Sequence, residues 1–112
     1  MRRGEVWLVN LDPAVGAEMQ KTRPVVIISS DLMGKLPLRV VVPLTDWKEH
    51  YTRAPWMLKV EPDLQNGIAK TSSIDCYQVR SISEQRFSRR LGRLPDELID
   101  EFVRRVWLAL TA

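Results

Sequence analysis

Most of the chain consists of short runs in which apolar and polar residues alternate, separated by proline, glycine and asparagine. Runs of about four to eight residues with this composition predict β-strands. We predict five strands, at Glu5–Leu11, Pro24–Ser29, Leu38–Leu44, Trp56–Val60 and Ser73–Val79. The very basic segment Arg86–Leu94 is a candidate for a further short strand.

The carboxy-terminal segment has a helical period instead. Its apolar residues recur on one face of a helix: Leu94, Leu98, Ile99, Phe102, Val103, Val106, Trp107 and Leu110. Pro95 suits the first helical turn, and Asp96 and Glu97 complement the positive end of the helix dipole. Short strands followed by one helix predict a mainly β fold, a small bent sheet or barrel with the helix packed on it.

The length of 112 residues predicts one domain, spanning 1–112. No apolar stretch approaches the roughly 20 residues of a membrane span, and we expect the first residues not to be a secretory signal. A single cysteine, Cys76, excludes an internal disulfide framework and favours a reducing cytoplasm. With one cysteine and one histidine, we expect no zinc site, and no nucleotide-binding glycine motif is present. We therefore expect no cofactor.

The segment from Gly16 to Pro24 is the strongest candidate for a functional site. It is polar and leads directly into the apolar run that follows Pro24. Because proline biases the preceding residue toward extended geometry, Arg23 is expected where a loop enters a strand, beside solvent. A guanidinium offers forked donors to phosphate oxygens. We therefore interpret Arg23 and its neighbours Glu18, Lys21 and Thr22 as a phosphate site.

A second group of basic residues is interleaved with aromatic rings. The polar loop 45–55 contains Trp47, Lys48, His50 and Arg53, and the net charge of the chain is +3. Cations that hold a backbone and rings that stack on unpaired bases suit single-stranded nucleic acid. The alternative interpretation is a solvated charged face beside a core strand. Arg80 begins a third, arginine-rich group.

The chemistry that fits these residues is RNA cleavage without a metal, in which a 2′-hydroxyl attacks its own phosphate. Arg23 would stabilise the charge that develops on phosphorus, and the Thr45 hydroxyl would hold the phosphate. Glu18 is a candidate proton acceptor or an orienting partner of Arg23. Because an imidazole can gain and lose a proton near neutral pH, His50 is a candidate proton shuttle, although a lone histidine in a loop is more often exposed and idle.

Four motifs carry a resemblance to a known family. They are Arg-Gly-Glu-Val-Trp-Leu-Val-Asn-Leu-Asp-Pro at 3–13, Gly-x-Glu-x-x-Lys-Thr-Arg-Pro-Val-Val-Ile at 16–27, Val-Pro-Leu-Thr at 42–45 and Gln-Val-Arg-Ser-Ile at 78–82. Together they resemble the MazF/PemK family of toxin endoribonucleases, the mRNA interferases of type II toxin–antitoxin systems. The likeness extends from about residue 2 to about residue 110.

The resemblance implies an SH3-like barrel with a carboxy-terminal helix, and a homodimer with RNA along its surface. It implies metal-independent cleavage of single-stranded mRNA to 2′,3′-cyclic phosphate and 5′-hydroxyl ends. It also implies neutralisation by an antitoxin with an acidic, partly disordered tail. The catalytic arginine and threonine of the family fall on Arg23 and Thr45, and its loop glutamate on Glu18. One departure is Tyr77, which stands where some members carry an acidic residue and favours the simpler Arg/Thr mechanism.

Two other functions remain open on the sequence. One is a binding module or non-catalytic toxin, since a related toxin fold acts by binding DNA gyrase. The other is a degenerate toxin kept only as a partner of the antitoxin. Tyr77 is the one residue that favours this alternative. For the dimer, candidate contacts are Leu32, Met33, Leu36 and Trp107, each of which is equally a candidate core residue.

Overall fold

The computed structural model describes residues 1–111 and contains seven strands and one α-helix. The strands are Glu5–Asn10 (β1), Thr22–Ile27 (β2), Leu38–Asp46 (β3), Met57–Val60 (β4), Ser72–Asp75 (β5), Arg80–Ser83 (β6) and Phe87–Arg93 (β7). The helix is Asp96–Thr111 (α1). Short 3₁₀ turns lie at Asp31–Met33, Glu49–Arg53, Cys76–Gln78 and Glu84–Arg86.

All strand pairs are antiparallel, in the order β4-β5-β3-β2-β1-β7, with β6 added beside β3. Strand β3 is therefore the hub of the sheet. It pairs with β2 on one edge and with both β5 and β6 on the other. The mainly β class with a carboxy-terminal helix, as predicted from the sequence, is confirmed.

One strand prediction is wrong at its carboxyl end. Strand β5 stops at Asp75, because the carboxylate of Asp75 accepts the backbone N–H of Tyr77 at 3.0 Å and turns the chain into a 3₁₀ segment. The chain then returns to the sheet as β6, which the alternation did not predict. A second difference concerns Thr45, expected in a loop. Strand β3 continues through Asp46, because the Thr45–Asp46 segment pairs with β5.

The core lies on both faces of the central strands. Along β2, Val25 and Ile27 pack in one cluster, while Val26 packs in the other, beneath α1. Successive residues of a strand point to opposite faces, so both faces of β2 are covered. This explains why residues 25–28 form a continuous apolar run rather than an alternating one.

Helix α1 covers one face with only part of its predicted apolar stripe. Ile99 and Phe102 are completely buried, whereas Val103, Trp107 and Leu110 are exposed, Trp107 by 68%. The apolar stripe is thus wider than the surface that the sheet covers. Within residues 1–111, no helix has the length and apolar character needed to cross a bilayer.

Replacing Phe102 tests this packing. Phe102→Ala removes the largest fully buried side chain, and we expect the free energy of unfolding to fall by about 3–5 kcal/mol. Urea denaturation measures the change. Val103→Ala on the same helix is the matched control, with an expected change within about 0.5 kcal/mol because Val103 is exposed. Equal losses in both variants would contradict the assigned core.

Candidate active site

Arg23 lies near the start of β2, and its backbone position is set by a turn that ends at Lys21. Lys21 has a positive φ of 69°, a conformation that non-glycine residues rarely adopt. Its N–H donates to Asp12 Oδ1 at 3.0 Å, and its carbonyl accepts from Leu11 N at 2.9 Å. The Arg23 side chain is then directed by its own Nε, which donates to the carbonyl of Gln20 at 3.0 Å. The guanidinium is thereby anchored at one nitrogen only.

Thr45 comes beside Arg23 through the pairing of β2 with β3. Val25 and Pro43 are the last residues paired between the two strands, and Arg23 and Thr45 each lie two residues beyond that pair. On its other edge Thr45 pairs with the buried Ser73 of β5. Both side chains line one open cavity of about 330 Å³. The structure therefore brings together two residues that lie 22 positions apart in the chain.

The same cavity holds two charged residues that sequence reasoning missed, Asp46 and Lys70, together with the predicted Lys21 and Thr22. Lys70 Nζ lies 2.9 Å from Asp46 Oδ1. The hydrogen bond from Lys70, with the positive charges of Lys70, Arg23 and Lys48, lowers the pKa of the Asp46 carboxyl. Asp46 is thus an ionised group among cations. Its place directly after Thr45 was the only available signal, and for Lys70 there was none.

Glu18 and Arg80 do not line this cavity. They line a neighbouring one of about 450 Å³, with Tyr77 and Gln78. Glu18 Oε1 accepts the N–H of Val15 at 2.7 Å, so its carboxylate is engaged in holding its own loop. The structure therefore places Glu18 on the loop that leads to Arg23 and not against the Arg23–Thr45 pair.

Gln78 joins that loop to the sheet. Its Oε1 accepts the N–H of Met19 at 2.7 Å, and its Nε2 donates to the carbonyl of Ala17 at 3.3 Å. Beneath it, Asp75 is 5% exposed and accepts hydrogen bonds from residues 77 and 78. Burial outweighs these bonds and raises the pKa of the Asp75 carboxyl. Sequence reasoning placed Gln78 in a motif but gave it no structural role.

The predicted aromatic and basic loop residues form a separate surface beyond the end of β3. Trp47 and His50 both pack edge-on against Tyr51, with ring centroids 5.9 and 4.7 Å apart. Lys59 Nζ lies 5.2 Å from the centre of the Trp47 ring. Lys48 and Arg53 are exposed there. The loop is therefore an ordered aromatic cluster with cations at its edge.

The side chains of residues 1–111 do not favour thiol chemistry or metal binding. Cys76 is buried, and burial raises the pKa of its thiol to about 12, so it carries no thiolate at neutral pH. Among residues 1–111, no three side chains of His, Cys, Asp or Glu come together as metal ligands would. Tyr77, in the position of the expected acidic residue, is exposed and packs edge-on against Trp56 at 6.1 Å.

Comparison of structures identifies the class of protein that this fold represents. The structure of MazF from Deinococcus radiodurans superposes with a TM-score of 0.80 at 20% sequence identity, covering 100% of this chain and 97% of that one. MazF in a MazE–MazF structure from the same organism superposes with a TM-score of 0.73 at 19% identity, covering 98% and 95%. The fold is therefore that of the MazF toxins.

Sequence comparison then gives the family. Residues 2–110 match the PemK-like, MazF-like toxins of type II toxin–antitoxin systems. The chain is 36% identical over 113 aligned positions to endoribonuclease PemK of Escherichia coli, covering 99% of this chain and 83% of the relative. The chain belongs to this family.

Asp75 provides a pH-dependent test of the site's support. A carboxyl whose pKa is raised in the folded state binds its proton more tightly there, so folding stability falls as pH rises above the ordinary value of 3.8. Asp75→Asn keeps an acceptor for the Tyr77 N–H and removes the ionisation. We therefore expect the variant to gain stability relative to the wild type between about pH 4 and neutrality. Urea denaturation at both ends of this range measures the difference, and a constant difference would contradict the assigned burial of the charge.

Proposed function

We propose that this chain is the toxin of a type II toxin–antitoxin system and that it cleaves single-stranded mRNA in the cytoplasm as a sequence-specific endoribonuclease. The observation that carries the proposal is the cationic cavity that Arg23 and Thr45 both line, just beyond the last paired residues of β2 and β3. Membership of the family, and the name endoribonuclease borne by the PemK relative, support the same reaction.

The reaction proposed is an intramolecular transesterification. The substrate's 2′-oxygen attacks the adjacent phosphorus, the bond from phosphorus to the 5′-oxygen breaks, and the products are a 2′,3′-cyclic phosphate and a 5′-hydroxyl. The 2′-hydroxyl loses a proton and the 5′-oxygen gains one, so no water is consumed. The free nitrogens of the Arg23 guanidinium would stabilise the charge on the phosphoryl oxygens, and the Thr45 hydroxyl would donate to one of them. This chemistry needs no metal.

Glu18 has two possible roles, and the geometry favours one of them. Its carboxylate already accepts the Val15 N–H and faces a cavity other than that of Arg23. It holds the loop whose Gln20 carbonyl fixes Arg23 Nε. We therefore propose that Glu18 orients Arg23 through the loop, in preference to accepting the proton itself.

The proposed RNA path runs over the cations that surround the cavity. Lys21 and Thr22 line the cavity, and Arg80 lies in the neighbouring one. The half-buried Trp47 and the exposed Lys48, His50 and Arg53 form the cluster beyond β3. Unpaired bases would stack on the rings while the cations hold phosphates, as in other proteins that bind single strands.

Two protein partners are proposed. The first is a cognate antitoxin, supported by the similar MazE–MazF structure from Deinococcus radiodurans. An acidic antitoxin tail would complement the cations of the cavity. The second is another copy of this chain. Leu32, Met33, Leu36 and Trp107 are all exposed, so each is available for a homodimer contact.

Arg23→Ala tests the reaction. We expect cleavage of single-stranded RNA, assayed with a metal chelator present, to fall by about 10²–10³-fold, the typical cost of removing one transition-state donor. Arg89→Ala is the matched control, since Arg89 is an exposed arginine of β7 that lines neither cavity. Mapping the cut ends of a long RNA reports end chemistry and sequence preference together.

Three outcomes of this assay count against the proposal. Unchanged cleavage by Arg23→Ala removes the residue from the mechanism, and wild-type activity that disappears with chelator refutes metal independence. Absence of cleavage by clean wild-type protein on several mixed-sequence RNAs would favour a toxin that binds a protein target. Glu18→Gln, which keeps the acceptor for the Val15 N–H, separates the two roles of Glu18, because only a direct proton acceptor would lose activity.

Sedimentation tests the homodimer. We expect a dimer at micromolar concentration, with roughly 800 Å² buried on each partner in an interface of ordinary size. Trp107→Asp and Leu32→Asp introduce a charge on each candidate surface, and the variant that sediments as a monomer identifies the interface. A wild-type protein that is only monomeric would contradict the prediction.

A further inference from the structure

We propose that Lys70 is a phosphate-binding residue of the Arg23–Thr45 cavity and that Asp46 holds its ammonium group until RNA arrives. The proposal rests on the proposed function and adds to it a residue that neither the phosphate argument nor the motifs identified. Lys70 lies 47 positions after Arg23, yet both line the same cavity.

The backbone presents Lys70 to the cavity from a fixed position. Ser72, which is 6% exposed, donates its hydroxyl to the carbonyl of Lys70 at 2.8 Å. Ser72 itself is paired with Asp46 across β5 and β3. In addition, Trp47 N–H donates to the carbonyl of Thr71 at 3.3 Å. The segment that carries Lys70 is therefore tied to the end of β3 at two points.

The charges around Asp46 are unequal. The carboxylate lies in the field of Lys70, Arg23 and Lys48, three cations around one anion. The cavity lining shows the same excess, with Lys21, Arg23 and Lys70 facing the single carboxylate of Asp46. A site of this composition attracts a further anion, and a phosphate diester carries the charge and the acceptor oxygens that suit it.

The Asp46–Lys70 pair can be exchanged for phosphate at little cost. Both side chains are well exposed, Lys70 by 69% and Asp46 by 61%, and exposed ion pairs contribute little to stability. A phosphate bound near Arg23 would also be repelled by the Asp46 carboxylate. When RNA binds, Lys70 would therefore exchange the Asp46 carboxylate for a phosphate oxygen. In the free protein, Asp46 would stand in for the phosphate as the anion paired with Lys70.

The test measures binding apart from cleavage. A short, mixed-sequence 2′-O-methyl RNA lacks the attacking hydroxyl, so its dissociation constant is measured by fluorescence anisotropy across a range of salt concentrations. Each phosphate contact to a single strand contributes about 0.7 to the slope of log K against log[salt]. For Lys70→Ala we expect the slope to become shallower by about 0.7, and for Lys70→Arg we expect it to be retained.

Lys35→Ala is the matched control, because Lys35 is an exposed lysine before the other end of β3 and outside the cavity. A slope for Lys70→Ala that equals the wild-type and Lys35→Ala slopes would overturn the proposal. Asp46→Asn is expected to bind the strand more tightly than the wild type, and weaker binding would refute the stand-in role. These results are separable from the proposed function, because cleavage by the wild type is measured independently on ordinary RNA.

Discussion

The pairing of β3 with three other strands is the constraint on which this structure depends. Its first half joins β2 and β6, and its second half joins β5. The change of partner occurs at Pro43 and Leu44, where the β2 ladder ends and the β5 ladder begins. Thr45 and Asp46 therefore continue beyond the ladder with β2 and are paired on one edge only, and the cavity opens where β2 and β3 separate.

The register of these strand pairs determines whether Thr45 and Arg23 lie near each other. A slip by one residue would turn Thr45 to the other face of the sheet and would separate it from Arg23. Both faces of β2 are buried, by Val25 on one side and Val26 on the other, so the chain strongly opposes such a slip. The apolar core thus fixes the position of polar groups that contribute nothing to it.

The loop before β2 is fixed by polar contacts instead. Gln78 holds Met19 and Ala17, Asp12 holds Lys21 in a positive-φ conformation, and Gln20 holds Arg23. Each is a hydrogen bond to the backbone or from it, so the loop keeps its shape while its side chains remain available at the surface. The cavity beside this loop is lined by Lys21, Arg23 and Lys70 and by the one carboxylate of Asp46, and this excess of positive charge suits a polyanion.

The sequence alone determined most of the elements and part of the candidate site. Alternation and helical spacing located most strands and the helix, because burial patterns repeat with the period of the backbone. Arg23 was found because a loop that enters a strand at Arg-Pro is a local feature. Strand β6 was missed because the buried Asp75 side chain accepts the Tyr77 N–H and ends β5 early. The alternation of residues does not show this hydrogen bond.

Tertiary structure decided which distant residues share a cavity. The pairing of β2 with β3 brings Thr45 near Arg23, and the pairing of β3 with β5 brings Lys70 near Asp46. The tertiary structure also places Glu18 in a different cavity from these four residues. Pairing between strands depends on the packing of the whole core. The sequence around any one of these residues therefore does not predict which residue will lie beside it. For this reason the chemistry of the candidate site and several of its residues could be predicted from the chain, whereas the presence of Asp46 and Lys70 in its cavity could not.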